Sequence, residues 1–580
     1  MSTISFFVDF SFDSNDSFSE RYEFFYKKLV SFLFKNQEIS MVFHFDGESI
    51  EWFEKNHAEF FQILHKLLDR KQIEIIGGGF YNPIFPLIFP MDRTGQIEKL
   101  TAILRQITGK RPRGFFLFDS CWSESLIPSL NNCGFEYVLL QSNMIPQKYR
   151  SKGPLISNHL GKSISIVETT TVPVVEGTSL ENAIRALSSS SAAQSYHIVQ
   201  LDFSFFDFEA VFSFLKNNGG GCDFSFSLPS DYVKTCRHFT KAHVPEYTRS
   251  DFITNSPMSS ALFNRMMYVS LLLNQLKGDK ARKNLAREQL WFSQNGKFYT
   301  SENHELFQKS YKNLLSAERC IREFTDFRES ITAFDYDNDG FTDYLCLMEQ
   351  FGACISPLGA KIFELNAFKK FGNFCAGGGI FSNLILTDEE FSEYKAAKQI
   401  RTIFSDCLFS EMKFDGLKKD ITLVSEGEFS PLNLLVSLKK KYVANSNGFM
   451  VQMIVKNESP IELRGTLVVE SNFAQMAFGK NQKSYNLEAI SNDKKEIINE
   501  IEDGAPRALE NISYLKLTDA SSETAFVFEP NENCDVIASK AAQNGGETTR
   551  ASLCWKLSLS PGIEIEKTIN FSIVSMKNRK

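Results

Sequence analysis

"QIEIIGGGFYNPIFPLIFPMDRTGQIEKLTAILRQITGKRPRGFFLF", residues 72–118, holds in one stretch the alternation that decides the fold. It opens on the apolar run Ile73–Ile76 and turns on three glycines. Residues 92–109 then place apolar side chains three and four apart, and a second apolar run, "GFFLFD" (114–119), closes the stretch. A short continuous apolar run ending in glycines reads as a buried strand, and the three-four spacing reads as an amphipathic helix. Strand, helix and strand in that order make one unit of a parallel sheet covered on both faces.

The same alternation extends outward. Strands are predicted at 4–10, 39–45, 136–141 and 196–202, and helices at 19–36, 49–72, 123–135 and 179–195. Repeated this often, the pattern predicts a barrel or an open doubly wound sheet. Residues 255–330 carry helical spacing with little β-branching. From 331 onward, short alternating runs are separated by Gly, Asn, Asp and Pro, as in an antiparallel β-sandwich. The expected organisation is a (β/α) domain over 1–250, a helical region over 251–330 and a β-sandwich over 331–580.

Composition excludes several classes of partner. Of 580 residues, 43% are hydrophobic and 23% charged, and the net charge is −7 with no basic block, which argues against nucleic acid. No run of 18 apolar residues exists, so no membrane partner is expected. The eleven Cys are scattered without CxxC pairs, and the N-terminus "MSTISFFVDFSFDSNDS" lacks a basic leader. Reduced thiols in the cytoplasm are the expectation.

With the preceding "EWFEKNHAEFFQILHKLLDR" (51–70) and the following "LIPSLNNCGFEYVLL" (126–140), the stretch closely resembles glycoside hydrolase family 57, in its 4-α-glucanotransferase and α-amylase branch. "NRMMYVS" (264–270), "YKNLLSAE" (311–318) and "FDYDNDGFTDYLCLMEQFGACISPLGAKIFEL" (334–365) are collinear with that family's later regions. The resemblance implies a seven-stranded (β/α) barrel, a helical region and a β-sandwich. It also implies an α-1,4-glucan or malto-oligosaccharide partner, no cofactor, and a mechanism that retains anomeric configuration. Retention needs two carboxyls about 5–5.5 Å apart, one as nucleophile and one as general acid.

Carried onto this chain, the resemblance puts Asp119 at the nucleophile position and makes Asp202 the general-acid candidate. The register of the acid segment stays open, with Asp207 further on. His44, the loop Gly78, Gly79, Phe80, Tyr81 and Asn82, and Trp122 fall where the family contacts sugar. Each has a plainer alternative: Asp119 as a helix cap, His44 as a hydrogen-bonded structural residue, the glycine loop as a folding requirement, Trp122 as core. Glu74 and Glu124 are read as packing or surface residues.

The chain also departs from the family. The family nucleophile is Glu, and Asp sets its carboxylate back by about one C–C bond, ~1.5 Å. Misplacement of about 1 Å can cost on the order of 100-fold in rate. The His-Gln-Pro motif of the first strand is replaced by "FFVDFSF", and "REQLWFSQNGKFY" keeps only Gln289 of another motif. Two functions follow as expectations: an α-glucan transferase or hydrolase of impaired activity, or an inactive pseudoenzyme that binds α-glucan or a protein partner. A separate motif, "DYDNDGFTD" (335–343), sets Asp335, Asp337, Asp339 and Asp343 at positions 1, 3, 5 and 9 with Gly at 6, like a calcium loop. Its twelfth position is Cys346, where a bidentate Glu would stand. A solvated Asp-rich turn is the alternative.

Overall fold

The computed structural model describes residues 2–150, 153–171, 196–200, 216, 224–236, 239–278, 280–301, 303–396, 398, 400–430, 432–474, 485–491, 494–498, 506–543 and 546–575. The predicted helix 179–195 and the end of the predicted strand 196–202 lie outside these residues. The chain divides into two compact units: residues 1–251 with 294–297, and residues 252–293 with 298–580.

The first unit is a closed ring of parallel strands. They are β1 (Ser2–Asp9), β2 (Met41–His44), β3 (Ile73–Ile76), β4 (Gly114–Phe115), β5 (Tyr137–Gln141), β7 (Lys162–Thr171) and β8 (Tyr196–Gln200). β1 pairs with β2, β2 with β3, and Gly77 bridges to Phe115. β4 then pairs with β5, β5 with β7, β7 with β8, and β8 returns to β1. This is the seven-stranded barrel that the resemblance implied. An antiparallel strand, β6 (Leu155–His159), flanks β7. The β6–β7 hairpin turns on Leu160 and Gly161, both at positive φ.

Side chains alternate across each strand. Phe6, Val8, Phe43 and Ile75 point outward into a core shared with the helices, which carries much of the Phe content. The helix predicted at 49–72 is two, α3 (Gly47–Asn56) and α4 (Glu59–Asp69), preceded by α1 (Asn15–Arg21) and α2 (Lys27–Lys35). Phe10, Phe53 and Phe60 pack among them, with Phe53 and Phe60 stacked at 4.3 Å. The helix of the opening stretch, α5 (Pro90–Thr108), starts on Pro and ends on left-handed Gly109.

The second unit carries helices Pro257–Gln275, Lys280–Ser293 and His304–Phe324. Its antiparallel strands run from Ser330–Phe334 to Glu564–Ser575. Cys375–Leu386 pairs with Leu463–Ala474, and Gly448–Asn457 with Glu564–Ser575, so the sheet folds back around one core. A buried ion cluster ties helices to strands here. Arg265 Nη1 donates to Glu318 at 2.8 Å, its Nε donates to Glu364 at 2.7 Å, and Tyr336 O–H donates to Glu364 at 2.9 Å. No helix among the described residues is long and apolar enough to cross a membrane.

Candidate active site

The inward-facing residues of the ring form layers. Ser5, Glu74, Tyr137 and Tyr196 make a lower, hydrogen-bonded layer. Tyr137 O–H donates to Glu74 at 2.8 Å, Tyr196 O–H donates to Ser5 at 3.0 Å, and Ser230 N–H donates to Glu74 at 3.1 Å. Burial raises the Glu74 carboxyl above its usual range. Two residues along each strand, Phe7, Val42, Ile76, Leu139, Val167 and Ile198 make an apolar plug. Two residues further, the strands end in polar groups: Asp9, His44, Gln141, Thr169 and Gln200. Side chains at the C-terminal ends of parallel barrel strands converge on one mouth. A cavity of about 260 Å³ lies there, lined by Asp9, Asn82, Asp119, Gln141, Thr169 and Gln200 among others.

Asp119 reaches the cavity by a route other than the predicted one. The strand expected to run through it ends at Phe115, and Phe118–Ser120 form a single tight turn. Asp119 and Ser120 sit at φ 48° and 53°, in the left-handed region that suits Asp better than Glu. Among the described residues, the Asp119 carboxylate caps no helix, and the following turn is capped by Ser123. It accepts a hydrogen bond from the Arg249 guanidinium, which raises the Arg249 pKa. Next to it, burial first and then the Asp119 charge push the Cys121 thiol up to about 12, so that sulfur stays protonated.

On the opposite wall a polar chain links three strand ends. His44 Nδ1 lies 2.8 Å from Asp9 Oδ1, which also accepts Ser11 N–H at 3.1 Å and Ser11 Oγ–H at 2.6 Å. Asn82 Nδ2 donates to Ser11 Oγ at 2.8 Å and to Asp46 Oδ2 at 3.2 Å. Asp46 also accepts Phe12 N–H at 3.0 Å and, as the N-cap of α3, Ser49 N–H at 2.8 Å. Burial, then the Glu48 charge, push the Asp46 carboxyl up to about 8. Glu48 faces Lys297 Nζ at 3.4 Å, and Lys297 donates to Phe12 O at 3.3 Å.

His44 is fully buried, stacked on Phe116 at 4.2 Å, and its Nε2 has no hydrogen-bond partner. A Cβ on Gly78 would lie 2.6 Å from that nitrogen, so only glycine fits there. The loop therefore answers in part to His44. Gly79 packs against Pro83 and Phe85. Asn82, at φ 47°, is the loop residue that reaches the cavity.

Three of the expected sugar contacts sit elsewhere. Phe80 is fully buried beneath Gly47 with Lys99 Nζ 3.5 Å from its ring centre, and Tyr81 packs on the helix-side core. Trp122 is fully buried, its backbone bridged to Tyr247, so its ring offers no open face to a sugar. Apolar burial of these rings outweighs exposure at the mouth. Asp202 and Asp207 lie outside the described residues. Glu124 accepts from Ser157 Oγ at 2.9 Å and pairs with His243 at 2.8 Å.

Sequence reasoning missed Ser11, Asp46, Gln141, Thr169, Gln200, Asn295 and Lys297. The strand-end positions had a signal: each follows an inward apolar residue by two. Asp46 had one too, as an Asp opening a helix. Lys297 had none, because it lies 249 residues from Glu48 in sequence.

Residues 2–167 match the family model described as Glycosyl hydrolase family 57, which bears out the resemblance drawn from the opening stretch. Alpha-amylase 1 of Dictyoglomus thermophilum is 39% identical over 119 residues, 20% of this chain and 17% of that protein. The 4-alpha-glucanotransferase of Thermococcus litoralis is 34% identical over 123 residues, 21% of this chain and 18% of that protein. Each match thus spans less than a fifth of the curated relative. The crystal structure of the Thermococcus litoralis 4-alpha-glucanotransferase superimposes with a TM-score of 0.77 at 17% identity, over 99% of each chain. That likeness shows the fold.

Proposed function

We infer that this chain acts on α-glucans, binding malto-oligosaccharide at the mouth of its barrel, with transfer or hydrolysis that is impaired. The observation that carries this reading is the polar ring of strand ends around a cavity with Asp119 on its rim. Sugar hydroxyls need paired donors and acceptors at fixed positions, and Asp9, Asn82, Gln141, Thr169 and Gln200 supply both. The amylase and glucanotransferase names of the relatives point to the same substrate class. Asp119 takes the nucleophile position and Asp202 the general acid. Asp119 stands one methylene short, on a left-handed turn, with its charge engaged by Arg249.

That last contact favours a second reading, a cleft that binds glucan without turnover. A carboxylate that donates electron density to a guanidinium is a weaker nucleophile. The cytoplasm fits both readings, since the ten described cysteines are all free thiols.

Incubation with maltoheptaose separates the readings. The impaired-enzyme reading expects slow disproportionation or hydrolysis that Asp119→Ala abolishes. Binding by calorimetry with no product supports the second. Absence of both binding and product sinks the α-glucan assignment.

A further inference from the structure

The second unit holds a cluster of carboxylates unrelated to the barrel mouth. Asp335, Asp337 and Asp343 each bring one oxygen to within 4.8 Å of the others. Two oxygens bound to one calcium at about 2.4 Å can be no more than ~4.8 Å apart, so the spacing of the trio meets the first requirement for sharing one ion. Acidic turns of this kind are common on surfaces, and the turn's own hydrogen bonds say nothing about a ligand. Asp335 accepts Asp339 N–H at 3.1 Å and Gly340 N–H at 3.1 Å, and Asp339 accepts Phe341 N–H at 2.8 Å.

Asp343 is different. It opens the strand Asp343–Leu347, is 0% exposed, and uses one oxygen, Oδ2, to accept Tyr336 N–H at 3.1 Å. Its other oxygen, Oδ1, is buried with no hydrogen-bond partner. Among the described residues, no Lys or Arg pairs with any of the three carboxylates. A buried, half-satisfied carboxylate facing two more acids is costly unless something positive stands among them. Oxygen-only donors on a tight turn suit a hard divalent cation, and a flexible carboxylate set suits calcium over magnesium, which demands a closer and stricter octahedron.

We propose that Asp335, Asp337 and Asp343 hold a structural calcium ion in the second unit. The ion is bound without Glu at position 12, since Cys346 is a buried core residue on the strand that Asp343 opens. The strand-opening Asp343 supplies the inner oxygen, and solvent completes the shell. The ion fastens the turn that carries Tyr336, whose hydroxyl donates to Glu364 of the Arg265 cluster. Its effect is therefore on the stability of the second unit.

The test uses the full chain after chelator treatment, titrated with calcium chloride and followed by calorimetry and thermal unfolding. One ion per chain, with a dissociation constant on the order of 10⁻⁵–10⁻³ M, is expected. The unfolding transition should rise by about 2 °C or more under saturating calcium. Asp343→Asn and, separately, Asp337→Asn should weaken binding at least tenfold, while Asp415→Asn, at the end of the strand Ser410–Asp415, should not. The second ligand variant keeps the test decisive if Asp343→Asn fails to fold. No heat and no shift at about a hundred times that dissociation range would overturn the proposal. So would binding that survives both ligand variants, or an equal response to magnesium.

Discussion

The Asp119 carboxylate and the Arg249 guanidinium, 130 residues apart in sequence, are hydrogen-bonded at the rim of the barrel mouth. The pair is 41% and 38% exposed at its side chains, so its worth to stability is small, about 0–1 kcal/mol. On the proposed reading, in which Asp119 takes the nucleophile position, the pair bears on turnover rather than on the fold. Arg249→Ala should leave the unfolding temperature within about 2 °C while changing the maltoheptaose turnover rate. A large drop in thermal stability would show that the pair serves the fold.

Asp119→Glu tests the missing methylene. If the shortened side chain limits the rate, the longer acid should raise product formation by about tenfold or more over the parent. The left-handed backbone at φ 48° opposes this with roughly 1 kcal/mol of strain, which stability measurements will register. An unchanged or lower rate would place the defect elsewhere in the site.

Much of this was readable in the sequence. Continuous apolar runs identified the barrel strands, because both faces of a parallel ring are buried. Asp119 fell at the mouth although its strand was overestimated by four residues, Phe116–Asp119, since an apolar run cannot announce where a turn begins. The β6–β7 hairpin was not anticipated, although its Leu160-Gly161 turn was a local signal. Trp122 shows the opposite limit: sequence gave its place in the chain, but whether its ring faces sugar or core depends on what packs over it.

Gly78→Ala should perturb His44 directly. The new methyl group would stand 2.6 Å from Nε2 with no room to yield on the Phe116 side. Overpacking of this kind typically costs about 1–3 kcal/mol. Chemical denaturation measures the loss, and an unaffected midpoint would mean that the His44 ring moves freely.

Asp46 gives the barrel a pH dependence. Its folded carboxyl holds a proton up to about pH 8, whereas an unfolded Asp releases it near ~4, so folding takes up a proton in between. The contribution is whole below about pH 4 and is lost as the pH rises towards 8, by at most ~1.4 kcal/mol per unit. The stability gap between the parent and Asp46→Asn should therefore narrow from pH 5 to pH 8. A gap that widens would contradict the raised pKa.

Arg265→Met removes the cation shared by Glu318 and Glu364, where the Arg side chain is 1% exposed and both Glu are fully buried. Glu318 keeps Arg322 at 2.7 Å, but stranding the buried Glu364 carboxylate should destabilise the second unit by about 3–5 kcal/mol, read as a lowered unfolding transition. Loss of under about 1 kcal/mol would mean that water reaches the glutamates.

Gln294–Lys297 counts with the first unit although the chain has left it at residue 251. Gly296 N–H donates to Asn82 O at 3.0 Å, and Gln294 donates to Asp92 at 3.0 Å. A gene fragment stopping at 251 would therefore encode a barrel stripped of its last brace, without the contacts that Gln294 makes to Asp92 and Lys297 to Glu48. Anyone cloning the barrel unit alone should carry the reading frame at least to Lys297.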